Sequence, residues 1–141
     1  MNISEKGINL IKSFEGCKLR AYLCPANVWT IGYGHTAGVY KGMTITQEQA
    51  EKYFLDDIKP IEEYLNSLDI ELTQGQYDAL VSFTYNLGLG KLKSSTLLKC
   101  VKAKQFKAAS EQLAKWIYVN NKVSRGLINR RDKEKELFLS W

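Results

Sequence analysis

The chain is short of the residue types that would impose structure from outside its own core. It has two prolines, one histidine and three cysteines in 141 residues. Cys17, Cys24 and Cys100 form an odd set without metal-ligand spacing, and His35 is the only histidine available to join them. Neither a disulfide framework nor a metal site is expected, and the cysteines read as free thiols. No stretch approaches the roughly 18 apolar residues of a membrane span. The first residues, Met1-Asn2-Ile3-Ser4-Glu5-Lys6-Gly7, lack the basic segment and apolar run of a signal peptide or signal-anchor. A cytoplasmic product without an export signal is the expectation.

What is present is enough for a core. Hydrophobic residues make up 45% and charged residues 25%, an ordinary globular balance, so a chain of this length needs no staple to fold. Twenty Lys and Arg against fifteen Asp and Glu leave a net charge of +5, with basic residues dense over 91–107 and 125–135. Such a balance suits an anionic polymer, or merely a solvated basic face. Nucleic acid is disfavoured because no recognition motif accompanies the charge.

Ser4 is placed to cap a first helix with apolar residues Ile8, Ile11 and Phe14, and Gly16 to end it. Glu15 then falls on the last turn, where the negative end of the helix dipole favours a protonated carboxyl. From 18 to 45 the chain is rich in Tyr, Trp, Thr, Ile and Val and broken by Pro25 and several glycines, which predicts short antiparallel strands. Thr46-Gln47-Glu48-Gln49 and Thr73-Gln74-Gly75-Gln76 have capping-box form and open two helices, the first kinked at Pro60. Further helices are predicted over 95–101, 106–116 and 127–139.

Eight residues separate Glu15 from Cys24, five separate Cys24 from Thr30, and Trp29-Thr30-Ile31-Gly32-Tyr33-Gly34-His35-Thr36 follows. This pattern resembles the phage-type lysozymes of glycoside hydrolase family 24, the endolysins that open bacterial peptidoglycan. Similar blocks at Gln76 to Gly88, Ser94 to Leu98 and Gly126 to Arg131 extend the resemblance over about residues 5–138. It implies a single lysozyme-like α+β domain over 1–141. A small antiparallel β lobe (about 16–45) and a larger helical lobe (about 68–141 plus the first helix) would be joined by a long helix (about 46–67), with the active-site cleft between the lobes.

The resemblance further implies hydrolysis of the β-1,4 bond between N-acetylmuramic acid and N-acetylglucosamine, by inversion, with Glu15, Cys24 and Thr30 as the catalytic set. Glycoside hydrolysis needs an acid at the leaving oxygen and a group that holds or activates water on the opposite face. Glu15 is the acid, and the Thr30 hydroxyl positions water or sugar. Many relatives carry Asp where this chain has Cys24. An ordinary thiol is only about 3% ionised at neutral pH, so a depressed thiol pKa or a water-orienting role is implied. Tyr33, Tyr85, Asn86, Ser95 and Gln112 are the candidates to reach the glycan, with Trp116 either in the groove or packed. His35 is read as pairing with Asp57 on the long helix, Asp56 being the alternative. One of Arg130 and Arg131 anchors an acid near the first helix, or both belong to a solvated face. No metal and no organic cofactor are implied. The partner is peptidoglycan, reached from the cytoplasm of the infected bacterium after a separate holin acts without direct contact, and the enzyme is expected to be a monomer that binds neither membrane nor nucleic acid. A lytic transglycosylase cutting the same bond and a catalytically weak wall-binding module are the alternatives.

Overall fold

The computed structural model describes residues 1–140; Trp141, the last residue of the expected helical lobe, lies outside the described residues. The fold is α+β and helix-rich: α1 (Glu5–Glu15), β1 (Lys18–Leu23), β2 (Trp29–Gly32), α2 (Gln47–Ser67), α3 (Gln74–Leu87), α4 (Leu89–Ser94), α5 (Thr96–Lys102), α6 (Phe106–Leu113), β3 (Tyr118–Val119), β4 (Lys122–Val123) and α7 (Arg125–Phe138). Two compact units divide it, one of residues 11–60 and the other of 1–10 with 61–141. No helix among the described residues is long and apolar enough to cross a membrane.

In the smaller unit, β1 and β2 pair antiparallel with Tyr22 opposite Thr30 and Leu23 opposite Trp29. On the other edge of β1, Ala21 N–H donates to Met43 O and Ile45 N–H to Leu19 O, both at 2.9 Å. The repeated glycines of Ile31-Gly32-Tyr33-Gly34-His35 have a geometric cause. Ile31 and His35 exchange backbone hydrogen bonds of 2.9 and 2.8 Å across three residues. That closure holds Gly32 at φ 63° and Gly34 at φ 81°, which a side chain would oppose. Ile11, Ile31, Ala50, Phe54 and Ile58 form the core. Thr46 caps α2 as its sequence suggests, its hydroxyl accepting from Gln49 N–H at 3.1 Å while Gln49 Oε1 accepts from Thr46 N–H at 2.9 Å. Helix α2 runs continuously through Pro60, losing one hydrogen bond there because proline has no N–H.

The larger unit is built on α3, which is buried along Tyr77–Thr84 without a solvent face. Its capping box is complete, with Thr73 accepting from Gln76 N–H and Gln76 reaching back to Thr73 N–H. Gly75 is required by packing: a Cβ there would lie 2.2 Å from the carbonyl oxygen of Leu137 on α7. Asp78, also buried, anchors the chain start. It accepts from Ser4 N–H at 2.9 Å, from the Ser4 hydroxyl, and from Gln74 Nε2 at 2.8 Å.

Several boundaries differ from expectation. Helix α6 stops at Leu113 rather than 116, because Lys115 N–H and Trp116 N–H turn back three residues to Gln112 and Leu113 carbonyls. Helix α7 starts two residues sooner, since the Ser124 hydroxyl accepts from Leu127 N–H at 3.3 Å and caps it. Helix α4 and the β3–β4 hairpin were not expected at all. Two glycines disguise the first as a loop, and the second turns on Asn120 and Asn121, both left-handed at φ 50° and 64°.

Arg130 and Arg131 do not form a solvated face. They are 4% and 1% exposed, and the acid they hold is Glu134, fully buried one turn along α7. Arg131 Nε sits 2.7 Å from Glu134 Oε1, an ion pair that is not aligned as a hydrogen bond. Arg130 Nε lies 3.4 Å from Oε2, where the Ser82 hydroxyl donates at 2.6 Å. Burial pushes the Glu134 carboxyl upward, and Arg131, Ser82 and Arg130 oppose it. Glu134→Gln leaves Arg131 buried without its counter-charge, which should cost about 3–5 kcal/mol in urea unfolding. A loss below about 1 kcal/mol would mean the guanidinium is satisfied elsewhere. Asp78→Ala strands the Ser4 N–H and hydroxyl and should cost about 2–4 kcal/mol in the same measurement, with Asp78→Asn costing less because the amide oxygen still accepts.

Candidate active site

Helix α1 delivers Glu15 as its last residue. Gly16 ends the helix at φ 66°, its N–H returning to Lys12 O at 2.9 Å, and the chain turns into β1. The candidate acid is therefore half-buried at a helix end, directly before the hairpin that carries Cys24 and Thr30.

The β1–β2 turn is closed by Cys24 N–H to Val28 O at 3.1 Å and Asn27 N–H to Cys24 O at 2.8 Å, with Asn27 left-handed at φ 61°. Closing the loop this way brings backbone N–H groups to the Cys24 sulfur. The Val28 N–H, then that of Ala26, hold the thiol below its ordinary range by stabilising the thiolate; partial burial opposes them, and the Thr30 hydroxyl adds to the lowering. Thr30 is buried and donates its one hydroxyl proton to Val28 O at 2.9 Å. Its oxygen keeps lone pairs for a water proton, or the hydroxyl turns to the sulfur and gives up Val28.

Tyr22 links these groups. It stands opposite Thr30 across the strands, and its phenol pKa is raised by burial first, then by the charges of Glu15 and of Cys24. Both candidate groups therefore act on one hydroxyl. Sequence reasoning passed over Tyr22, although it lies two residues before the candidate thiolate, the spacing that keeps to one face of an extended chain.

The His35–Asp57 pair is formed. His35 Nδ1 lies 2.8 Å from Asp57 Oδ2, and the imidazole stacks on Tyr53 with centroids 4.3 Å apart. With 8% exposure, the ring packs the unit and holds α2 to the glycine turn.

Two of the glycan candidates are engaged elsewhere. Tyr33 is interior: its hydroxyl donates to Glu51 Oε1 at 2.9 Å and accepts from Gln47 Nε2 at 3.0 Å, and its ring meets Phe54 edge-on. Lys12 completes that cluster, pairing with Glu51 at 2.5 Å and holding its carboxyl below the usual range. Ser95 is 3% exposed and caps α5, accepting from Leu98 N–H at 3.0 Å and donating to Leu92 O at 2.7 Å. A hydroxyl so used has little left for a sugar. Asn86 is half-buried, its Oδ1 accepting from Arg131 Nη2 at 2.6 Å. Tyr85 and Gln112 are half-buried in the same larger unit. Trp116 is packed edge-on against Phe83 at 5.5 Å. Cys17, Cys24 and Cys100 are free thiols, and no group of three or more His, Cys, Asp or Glu able to hold a metal occurs among the described residues.

The profile of the family described as phage lysozyme matches residues 12–134. The endolysin of Bacillus phage B103 is 46% identical over 147 residues, covering 99% of this chain, which spans 55% of that relative's length. The endolysin of Acyrthosiphon pisum secondary endosymbiont phage 1 is also 46% identical, over 145 residues and 99% of both chains. Among solved structures, the muramidase domain of SpmX from Asticaccaulis excentricus superposes with a TM-score of 0.91 at 39% identity, over 99% of each chain. This chain belongs to the phage lysozyme family.

Proposed function

We propose that the protein is an N-acetylmuramidase, hydrolysing the β-1,4 bond between N-acetylmuramic acid and N-acetylglucosamine of bacterial peptidoglycan during phage lysis. The observation that carries the reading is the phage lysozyme family match over residues 12–134, which spans Glu15 at the end of α1 and the hairpin directly after it that bears Cys24 and Thr30. Protonated Glu15 gives its proton to the departing N-acetylglucosamine oxygen as the glycosidic bond breaks. Water adds to the muramic acid C1 from the opposite face and loses its proton to the Cys24 thiolate, while the Thr30 oxygen orients it.

The lowered thiol pKa favours hydrolysis over the transglycosylase alternative. A thiol whose pKa is lowered stands where many relatives have the aspartate that holds water, whereas transglycosylation needs no such group. The enzyme works as a monomer without metal or organic cofactor, and a separate holin gives it access to the wall.

Glu15→Gln keeps the shape of the acid but cannot donate its proton. Hydrolysis of purified walls should fall by at least about 10²- to 10⁴-fold with an unchanged melting temperature, and near-normal turnover would remove Glu15 from the mechanism.

A lowered pKa keeps Cys24 ionised to lower pH. Its alkylation rate by iodoacetamide should therefore inflect below about 8.5, the ordinary thiol value, and Thr30→Val should move the inflection upward. Alkylated enzyme should lose activity and Cys24→Asp should retain it. A normal thiol profile, or full activity after alkylation mapped to Cys24, contradicts the assignment.

A further inference from the structure

Glu51, in the second turn of α2, is where three segments of the smaller unit meet. Its Oε2 accepts from Lys12 Nζ of α1 at 2.5 Å. Its Oε1 accepts from the Tyr33 hydroxyl of the glycine turn at 2.9 Å and from Gln47 Nε2 at 3.1 Å. The Lys12 ammonium also stands 5.0 Å from the centroid of the Tyr33 ring and 5.3 Å from that of Phe54. A carboxylate and two aromatic rings thus fix the ammonium in direction as well as in distance.

None of these groups takes part in the proposed chemistry, and an ion pair whose side chains are 26% and 41% exposed adds little to folding stability. Its place in the chain is what singles it out. Lys12 lies three residues before Glu15, at the neighbouring position on the surface of α1, and its carbonyl accepts the Gly16 N–H that ends the helix. Tyr33 lies three residues after Thr30, directly beyond β2. The mounting of the acid and the mounting of the water-holding hydroxyl therefore converge on one carboxylate. In the turn after Ile11, which carries Glu15, no residue is fully buried, so Lys12 adds a directional contact where close packing is thin.

We propose that Lys12 is a positioning residue: through Glu51 and Tyr33 it sets where the Glu15 carboxyl stands relative to Thr30, and so the room left for water opposite the departing sugar. This role rests on the muramidase reading, in which Glu15 is the acid. Inversion depends on that separation, since the two groups must leave space for a water between them and the sugar.

Steady-state kinetics on soluble peptidoglycan fragments test it with Lys12→Met, Lys12→Arg, Glu51→Gln and the double variant Lys12→Met with Glu51→Gln, each assayed well below its melting temperature. Lys12→Met and Glu51→Gln should each lower kcat by about 10- to 10²-fold, the scale of a misplaced reacting group, while KM stays within about twofold. The double variant should be no slower than the worse single one, because the two side chains act as a unit. Lys12→Arg should recover most of kcat, since a guanidinium also pairs with a carboxylate and stacks on aromatic rings. Should Lys12→Met fail to fold, the isosteric Glu51→Gln decides. A wild-type kcat in the folded single variants, a loss confined to KM, or losses that multiply in the double variant overturn the proposal. Full activity of Lys12→Met beside an inactive Glu15→Gln removes the positioning role alone, whereas an active Glu15→Gln removes the muramidase reading itself.

Discussion

Two backbone hydrogen bonds close the turn between β1 and β2, from Cys24 N–H to Val28 O and from Asn27 N–H to Cys24 O, and the proposed chemistry depends on them. They set the curvature that brings the Val28 and Ala26 N–H groups to the Cys24 sulfur. The same closure fixes where Val28 O receives the Thr30 hydroxyl. A thiol is a poor substitute for a carboxylate unless something lowers its pKa, and neutral backbone dipoles do so here without a neighbouring cation. Changing the turn would alter the acidity of the sulfur and the position of Thr30 together.

Rigidity elsewhere comes from buried polar groups with assigned partners. In the larger unit, Glu134 with Arg130, Arg131 and Ser82 forms a charged set inside the helical core. Such a set contributes less by attraction than by the cost of disturbing it, since removing one member strands the rest. Asp78 at the start of α1 and the His35–Asp57 pair in the smaller unit follow the same logic. Each ties a loop or chain start to a helix, and α1 carries Glu15 at its other end.

How much of this was legible in the sequence varied with the range of the interaction. Local signals read well. Ser4 and Gly16 bound α1 as expected, both threonine capping boxes formed, and the antiparallel hairpin formed with Pro25 in its turn. The His35–Asp57 contact was implied by the family resemblance, which favoured Asp57 over its neighbour Asp56. Polar residues whose partners are distant read poorly. Tyr33 and Ser95 looked available for sugar because nothing in their neighbours reveals that Glu51 and the α5 cap already use their hydroxyls. Arg130 and Arg131 looked divided between an anchor and a solvent face because Glu134 is a strong enough counter-charge only once all three are buried. The Asn120–Asn121 turn was a readable hairpin signal that was passed over, helix periodicity having been extended across Trp116 instead.

The central claim is that water, held by Cys24 and Thr30 opposite the departing sugar, completes the reaction. The anomeric form of the first product reports this most directly. In proton NMR of peptidoglycan fragments during the first turnovers, before mutarotation, the account predicts that the new muramic acid reducing end forms as the α-anomer, inverted from the β bond. A β-anomer formed first, or a 1,6-anhydro product, would contradict it.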